Sequence, residues 1–124
     1  MLKFLCLFFL RWREKLARKR EQIFLQKYRA SEKTFTKSRA VLLRLWSEKR
    51  CLVQKLEFLD KDSDVSTYEQ LETKLKNTEQ LILRARNIFS GARADLKTEK
   101  SNYLSAKAKC LELAQKIQSL KKNG

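Results

Sequence analysis

From Tyr68 to Leu120 the chain advances by three and four residues in strict alternation, through Tyr68, Leu71, Leu75, Thr78, Ile82, Ala85, Phe89, Ala92, Leu96, Glu99, Tyr103, Ala106, Cys110, Leu113, Ile117 and Leu120. All of these but Thr78 and Glu99 are apolar or aromatic. Steps averaging about 3.5 residues keep one stripe on one side of an α-helix, and the stripe is wide enough only for a second helix to cover it. A half-buried strand would instead alternate every second residue. This pattern commits the second half of the chain to a long helix in search of a partner.

The partner is in the same chain. A weaker seam with the same spacing runs through Leu10, Glu14, Ala17, Glu21, Phe24, Tyr28, Ser31, Phe35, Ser38, Leu42, Leu45, Lys49, Leu52, Leu56 and Leu59. There is no proline, and Gly91 is the only glycine before the terminal Gly124, so little besides one segment can interrupt helix. That segment is Asp60-Lys61-Asp62-Ser63-Asp64-Val65-Ser66-Thr67, whose short polar side chains compete for backbone hydrogen bonds and serve as caps. Ser66 followed by Glu69 matches a capping box. The expected fold is all-α, a long antiparallel two-helix coiled-coil hairpin in one domain. Its helices should cover about residues 3–60 and 67–121, joined by a turn at about 61–66. A parallel dimer of one continuous helix is the alternative, and the central run of Asp and Ser argues against it.

Folding at that break sets Leu59 against Tyr68 and fixes the rest. Phe35 then meets Ala92, Ser38 meets Phe89 and Leu42 meets Ala85, the alternation of large and small that packed layers require. Lys49 faces Thr78, Glu99 faces Tyr28, Leu10 meets Ile117 and Leu7 meets Leu120. Arms of about 50 residues would each extend roughly 75 Å at about 1.5 Å per residue.

The formal charge is +15, from 29 basic and 14 acidic side chains. It is unevenly spread: residues 11–50 hold 14 basic and 4 acidic groups, residues 73–124 hold 12 and 4, and residues 57–72 hold 1 and 6. Such a chain is drawn to acidic protein, anionic lipid or nucleic acid. Histidine is absent, and no glycine-rich phosphate loop or metal-ligand spacing occurs, so no catalytic, cofactor or metal site is expected and the chain reads as a non-enzyme. Cys6, Cys51 and Cys110 are odd in number and far apart, which suits reduced thiols better than a disulfide framework.

The two extremes of the chain carry surface that a hairpin does not need. Met1 to Leu10 is apolar on every side, and Leu5, Phe8, Phe9 and Trp12 fall outside the seam; with Leu2 and Phe4 they make a contact surface. Behind them stand Arg11, Arg13, Arg18, Lys19 and Arg20, and near the other terminus Lys116, Lys121 and Lys122. A protein socket is the favoured occupant. An interfacial membrane anchor and a targeting sequence are the alternatives, although the run lacks a small-residue cleavage site and is half the ~20 residues that span a bilayer. An apolar tip entering a hydrophobic collar, steered by basic arms toward acidic residues, accounts for the whole pattern. At the turn, Phe58, Leu59, Val65 and Tyr68 would close the last coil layer. The weaker alternative for this end is a second docking point made of Phe58, Asp60, Asp62, Asp64 and Val65. Off-seam residues including Leu16, Ile23, Leu25, Leu43, Trp46 and Val53 make the outer face of the first helix unusually apolar, and some of them should be covered in the working assembly.

A small, basic, histidine-free helical hairpin, opening MLKFLCLFFLRWREKLARKR and closing KIQSLKKNG, resembles the central stalk proteins of type III secretion systems, the YscO and FliJ family. The resemblance implies a cytoplasmic protein at the inner-membrane secretion apparatus. Its paired termini, here Met1 to about Arg20 with Lys107 to Gly124, would enter the pore of a homohexameric secretion ATPase, promote its assembly and stimulate ATP hydrolysis. Its turn end would approach the export gate. No small-molecule substrate is implied. A nucleic-acid-binding coiled coil and a membrane-surface scaffold remain as alternative readings, weighed down by the absence of a base-reading motif and by the shortness of the apolar run.

Overall fold

The computed structural model describes residues 2–59 and 64–122. They form two long helices packed against each other as a helical hairpin, α1 from Leu2 to Phe58 and α2 from Val65 to Lys122. The chain divides into two compact units. A terminal unit takes the first part of α1 up to Glu32 with the last part of α2 from Asp95. A second unit comprises Lys33–Ala94.

Both seams are inside. Every residue of the two three-and-four series is buried or half-buried, including the polar Glu14, Glu21, Ser31, Ser38, Lys49, Thr78 and Glu99. Few residues outside the series share that burial, and one of them, Leu7, extends the first seam by another step. Hydrophobic burial along this stripe holds the hairpin together, because an isolated helix in water is marginal whatever its propensity.

In the second unit the core cluster is Leu42, Leu45, Ile82 and Ala85, with Phe89 packed against it. Leu42 with Ala85 is one of the expected large-and-small pairs, and burial of each leucine here stabilises the fold by about 1.5–3 kcal/mol. Phe35 stacks on Phe89 with ring centroids 5.1 Å apart, one seam step from its expected neighbour Ala92. Lys49 carries its ammonium to within 3.8 Å of Glu79, the residue next to its expected neighbour Thr78, which is buried in the seam. The long lysine stem covers apolar surface and carries its charge out to a carboxylate.

The entry to α2 comes two residues earlier than expected, about half a turn. Asp64, not Ser66, is the cap: its carboxylate accepts hydrogen bonds from the Thr67 backbone N–H at 3.2 Å and from the Thr67 hydroxyl at 2.8 Å. The Asp64 carbonyl accepts from the Tyr68 N–H at 3.1 Å, closing the first turn. A carboxylate satisfies the orphan amides as serine would and adds a favourable interaction with the helix dipole, so the earlier position wins. Ser66 therefore sits inside the first turn. Gly91, deep within α2, has open space where a Cβ would be, and the helix passes through it unbroken.

A basic apolar groove in the terminal unit

The terminal unit has its own buried core of Cys110, Leu113 and Ile117 on α2, with Leu113 only 2% exposed. Tyr28 of α1 stacks on Tyr103 of α2 with centroids 5.9 Å apart. The Tyr28 hydroxyl pairs with Glu32 one turn along its own helix, and that hydrogen bond, followed by burial and the Glu32 charge, raises its pKa above the ordinary value. One carboxylate oxygen of Glu99 is left buried without a hydrogen-bond partner.

Around Cys110 the α1 seam is acidic. Burial first, then a hydrogen bond to Glu21 and the Glu21 charge, push the Cys110 thiol up from 9.0 to about 11; Glu14 adds to the rise and Arg18 opposes it. Glu14 is itself held by Arg18, whose guanidinium lies 2.6 Å from its carboxylate. Glutamate one turn before arginine is the favourable order on a helix. Arg18 is thus engaged, although its side chain remains well exposed. The other two cysteines, Cys6 and Cys51, are exposed, and all three are free.

Most of the large apolar residues expected to stand outside the seam do so. Leu2, Phe4, Leu5, Phe8, Phe9 and Trp12 are all more than half exposed, Leu2 reaching 81%. Phe9 and Trp12 contact each other with centroids 6.0 Å apart, and the Arg13 guanidinium lies over the Phe9 ring at 5.8 Å. This guanidinium-on-ring contact holds a cation at the edge of the apolar surface. Farther along α1, Leu16, Ile23, Leu43 and Trp46 are exposed, whereas Leu25 and Val53 are half-buried. At the C-terminal side, Lys116 lies 3.3 Å from Glu112, and Lys121 and Lys122 occupy the last turn of α2.

These side chains do more than coat one helix. Between α1 and α2 in the terminal unit lies a groove of about 790 Å³. Its α1 wall is Phe9, Trp12, Leu16, Ala17, Ile23 and Phe24; its α2 wall is Asn102, Ser105, Ala106 and Leu113. Arg13, Lys19, Arg20 and Lys109 complete the lining, and no carboxylate joins them. The volume is within the ~300–1,000 Å³ of built binding sites, and the chemistry is apolar surface bordered by positive charge alone. The α1 half of this groove was legible as apolar surplus. The α2 half was legible only in part: Ala106 and Leu113 belong to the seam, whereas Asn102 and Ser105 carry no apolar signal.

The turn end is divided. Leu59 and Tyr68 are half-buried and help to close the coil. Phe58 and Val65 do not: they are 87% and 52% exposed. Phe58 precedes a seam position by one residue, which turns it about 100° away from the partner helix. Asp64 is occupied as the cap of α2, and Asp60 and Asp62 lie outside the described residues.

Among the described residues no group of acidic or cysteine side chains is placed to hold a metal ion, and no helix is long and apolar enough to cross a membrane. No protein-family model, curated protein or solved structure matches the chain.

Proposed function

We propose that this chain is the central stalk of a type III secretion system, entering a hexameric secretion ATPase by its terminal unit, promoting assembly of the hexamer and stimulating ATP hydrolysis. The observation that carries the reading is the surplus surface of that unit. Leu2, Phe4, Phe8 and Phe9 stand exposed on α1, and Arg11, Arg13, Lys19 and Arg20 follow at once along it. A coil needs none of these contacts for itself, and a ring-shaped receptor with an apolar collar and acidic residues below it would use them all. The turn, acidic in sequence and preceded by the exposed Phe58, is then the side that approaches the export gate.

The test is turnover of a purified secretion ATPase with and without the chain. Stimulation is expected from the native sequence, and its loss when Arg11, Arg13, Arg18 and Arg20 are changed together to Glu. Charge reversal at the turn should leave stimulation intact while reducing secretion in cells. Absence of stimulation by the native chain overturns the proposal.

A further inference from the structure

The groove in the terminal unit has a repeat of its own. Phe9, Leu16 and Ile23 succeed one another at seven-residue intervals along α1, as do Arg13 and Arg20. All five line the groove. The row from Phe9 to Ile23 is distinct from the seam, since Leu16 and Ile23 are exposed while the seam residues are covered. A wall that repeats every seven residues matches one kind of ligand surface, the side of another α-helix in the same coil geometry. From Phe9 to Ile23 it measures about 20 Å, the length of about four helical turns.

We propose that this groove is the seat of an acidic amphipathic helix from a partner protein, which lies along α1 and α2 and turns the terminal unit into a local three-helix coil. Apolar residues of the incoming helix, recurring every three and four positions, would cover Phe9, Leu16 and Ile23. The small Ser105 and Ala106 on the α2 wall allow its backbone close approach. Its flanking positions would carry glutamate or aspartate toward Arg13, Arg20 and Lys109.

Charge decides among the occupants. A groove whose ionic lining is entirely cationic repels a second copy of a chain with a formal charge of +15, and it attracts a helix bearing carboxylates. Helix-in-groove recognition supplies the affinity through the apolar anchors, while the ion pairs at the rim set orientation and partner choice. The inference stands on the groove alone and does not require the partner to be an ATPase.

The probe is a synthetic three-heptad peptide with Leu at its a and d positions and Glu at its e and g positions. Its control carries Lys in place of every Glu. Titration is followed by tryptophan emission in a Trp46→Phe background, so that Trp12 in the groove wall is the only reporter, using the full chain without any ATPase. The Glu peptide is expected to bind at least ~10-fold more tightly than the Lys peptide near ~0.15 M salt, with the preference shrinking as salt rises. Leu16→Asp should abolish binding and Arg20→Glu should weaken it. Both residues lie outside the seam, so circular dichroism should show the helix content of the native chain in each.

Equal affinity for the two peptides overturns the proposal. So does binding that survives Leu16→Asp in a chain of native helicity. Sedimentation showing a dimer of the native chain that Leu16→Asp converts to monomer would assign the groove to a second copy, and would overturn it equally. Because no ATPase is present, these outcomes are independent of the stimulation assay.

Discussion

Cys110 shows what a seam does to one side chain. Its thiol is buried on α2 beside Glu21 of α1 and carries a pKa of about 11 instead of 9.0. The folded value is above the unfolded one, so the contribution of this thiol to stability is fully present below about 9 and is lost as pH rises toward 11. Chemical denaturation should therefore show stability declining across that interval, and Cys110→Ala should flatten the decline. Reactivity separates the three cysteines in the same way. At pH 8 the exposed Cys6 and Cys51 should react readily with a thiol-directed disulfide reagent and Cys110 slowly, because thiolate and access are both scarce there. Equal rates at all three positions would contradict the burial of Cys110. The register already sets Cys110 opposite Ala17, between Glu14 and Glu21; the size of the pKa shift was not legible, since it depends on burial.

At the scale of the element, α2 contains a weak link. Gly91 is exposed, has a helical backbone, and would place a new Cβ in open space. Glycine in a helix interior costs roughly 0.5–1 kcal/mol relative to alanine through the freedom it has in the unfolded chain. Gly91→Ala should stabilise the hairpin by about that amount, read as a higher midpoint in urea with an unchanged slope. No gain would mean that this turn of α2 is not held as regular helix in solution. The elements themselves were nearly all legible: a period sustained from Tyr68 to Leu120 leaves no choice but helix, and the lone cluster of Asp and Ser locates the break. The cap was misread because Ser66 and Glu69 fit a known pattern, whereas Asp64 acts through charge and through the hydroxyl of Thr67. Phe58 was misread because it adjoins a seam position without facing the partner helix.

For the molecule as a whole, charge opposes the fold more than it supports it. A formal charge of +15 is opposed by only a few exposed ion pairs among the described residues, such as Arg44 with Glu48 at 4.0 Å and Lys49 with Glu79 at 3.8 Å. Exposed pairs of this kind contribute about 0–1 kcal/mol each and are themselves weakened by salt. Self-repulsion among the excess cations is the larger effect, and it is screened over about 10 Å at ~0.1 M salt. The thermal midpoint should therefore rise between ~0.02 M and ~0.3 M sodium chloride. A midpoint that falls over this range would show that attraction, and not repulsion, governs the surface. Net charge and its division into basic and acidic zones can be read directly from composition. Its convergence on a groove cannot, because Arg13 and Lys109 are brought to one lining only by the pairing of α1 with α2.

The seven-residue row of that lining has a further consequence. Phe9 with Leu16, and Leu16 with Ile23, are two nearly equivalent berths separated by one repeat, about 10 Å along the helix axis. Any helix accepted by the first could slide to the second without changing the kind of contact it makes. What breaks the equivalence is the residue between them: Trp12 accompanies the first berth and Lys19, also seven residues on, the second. One position offers a broad aromatic face and the other a cation, so a helix seated in this groove would meet a greasier and a more polar stop on the same track.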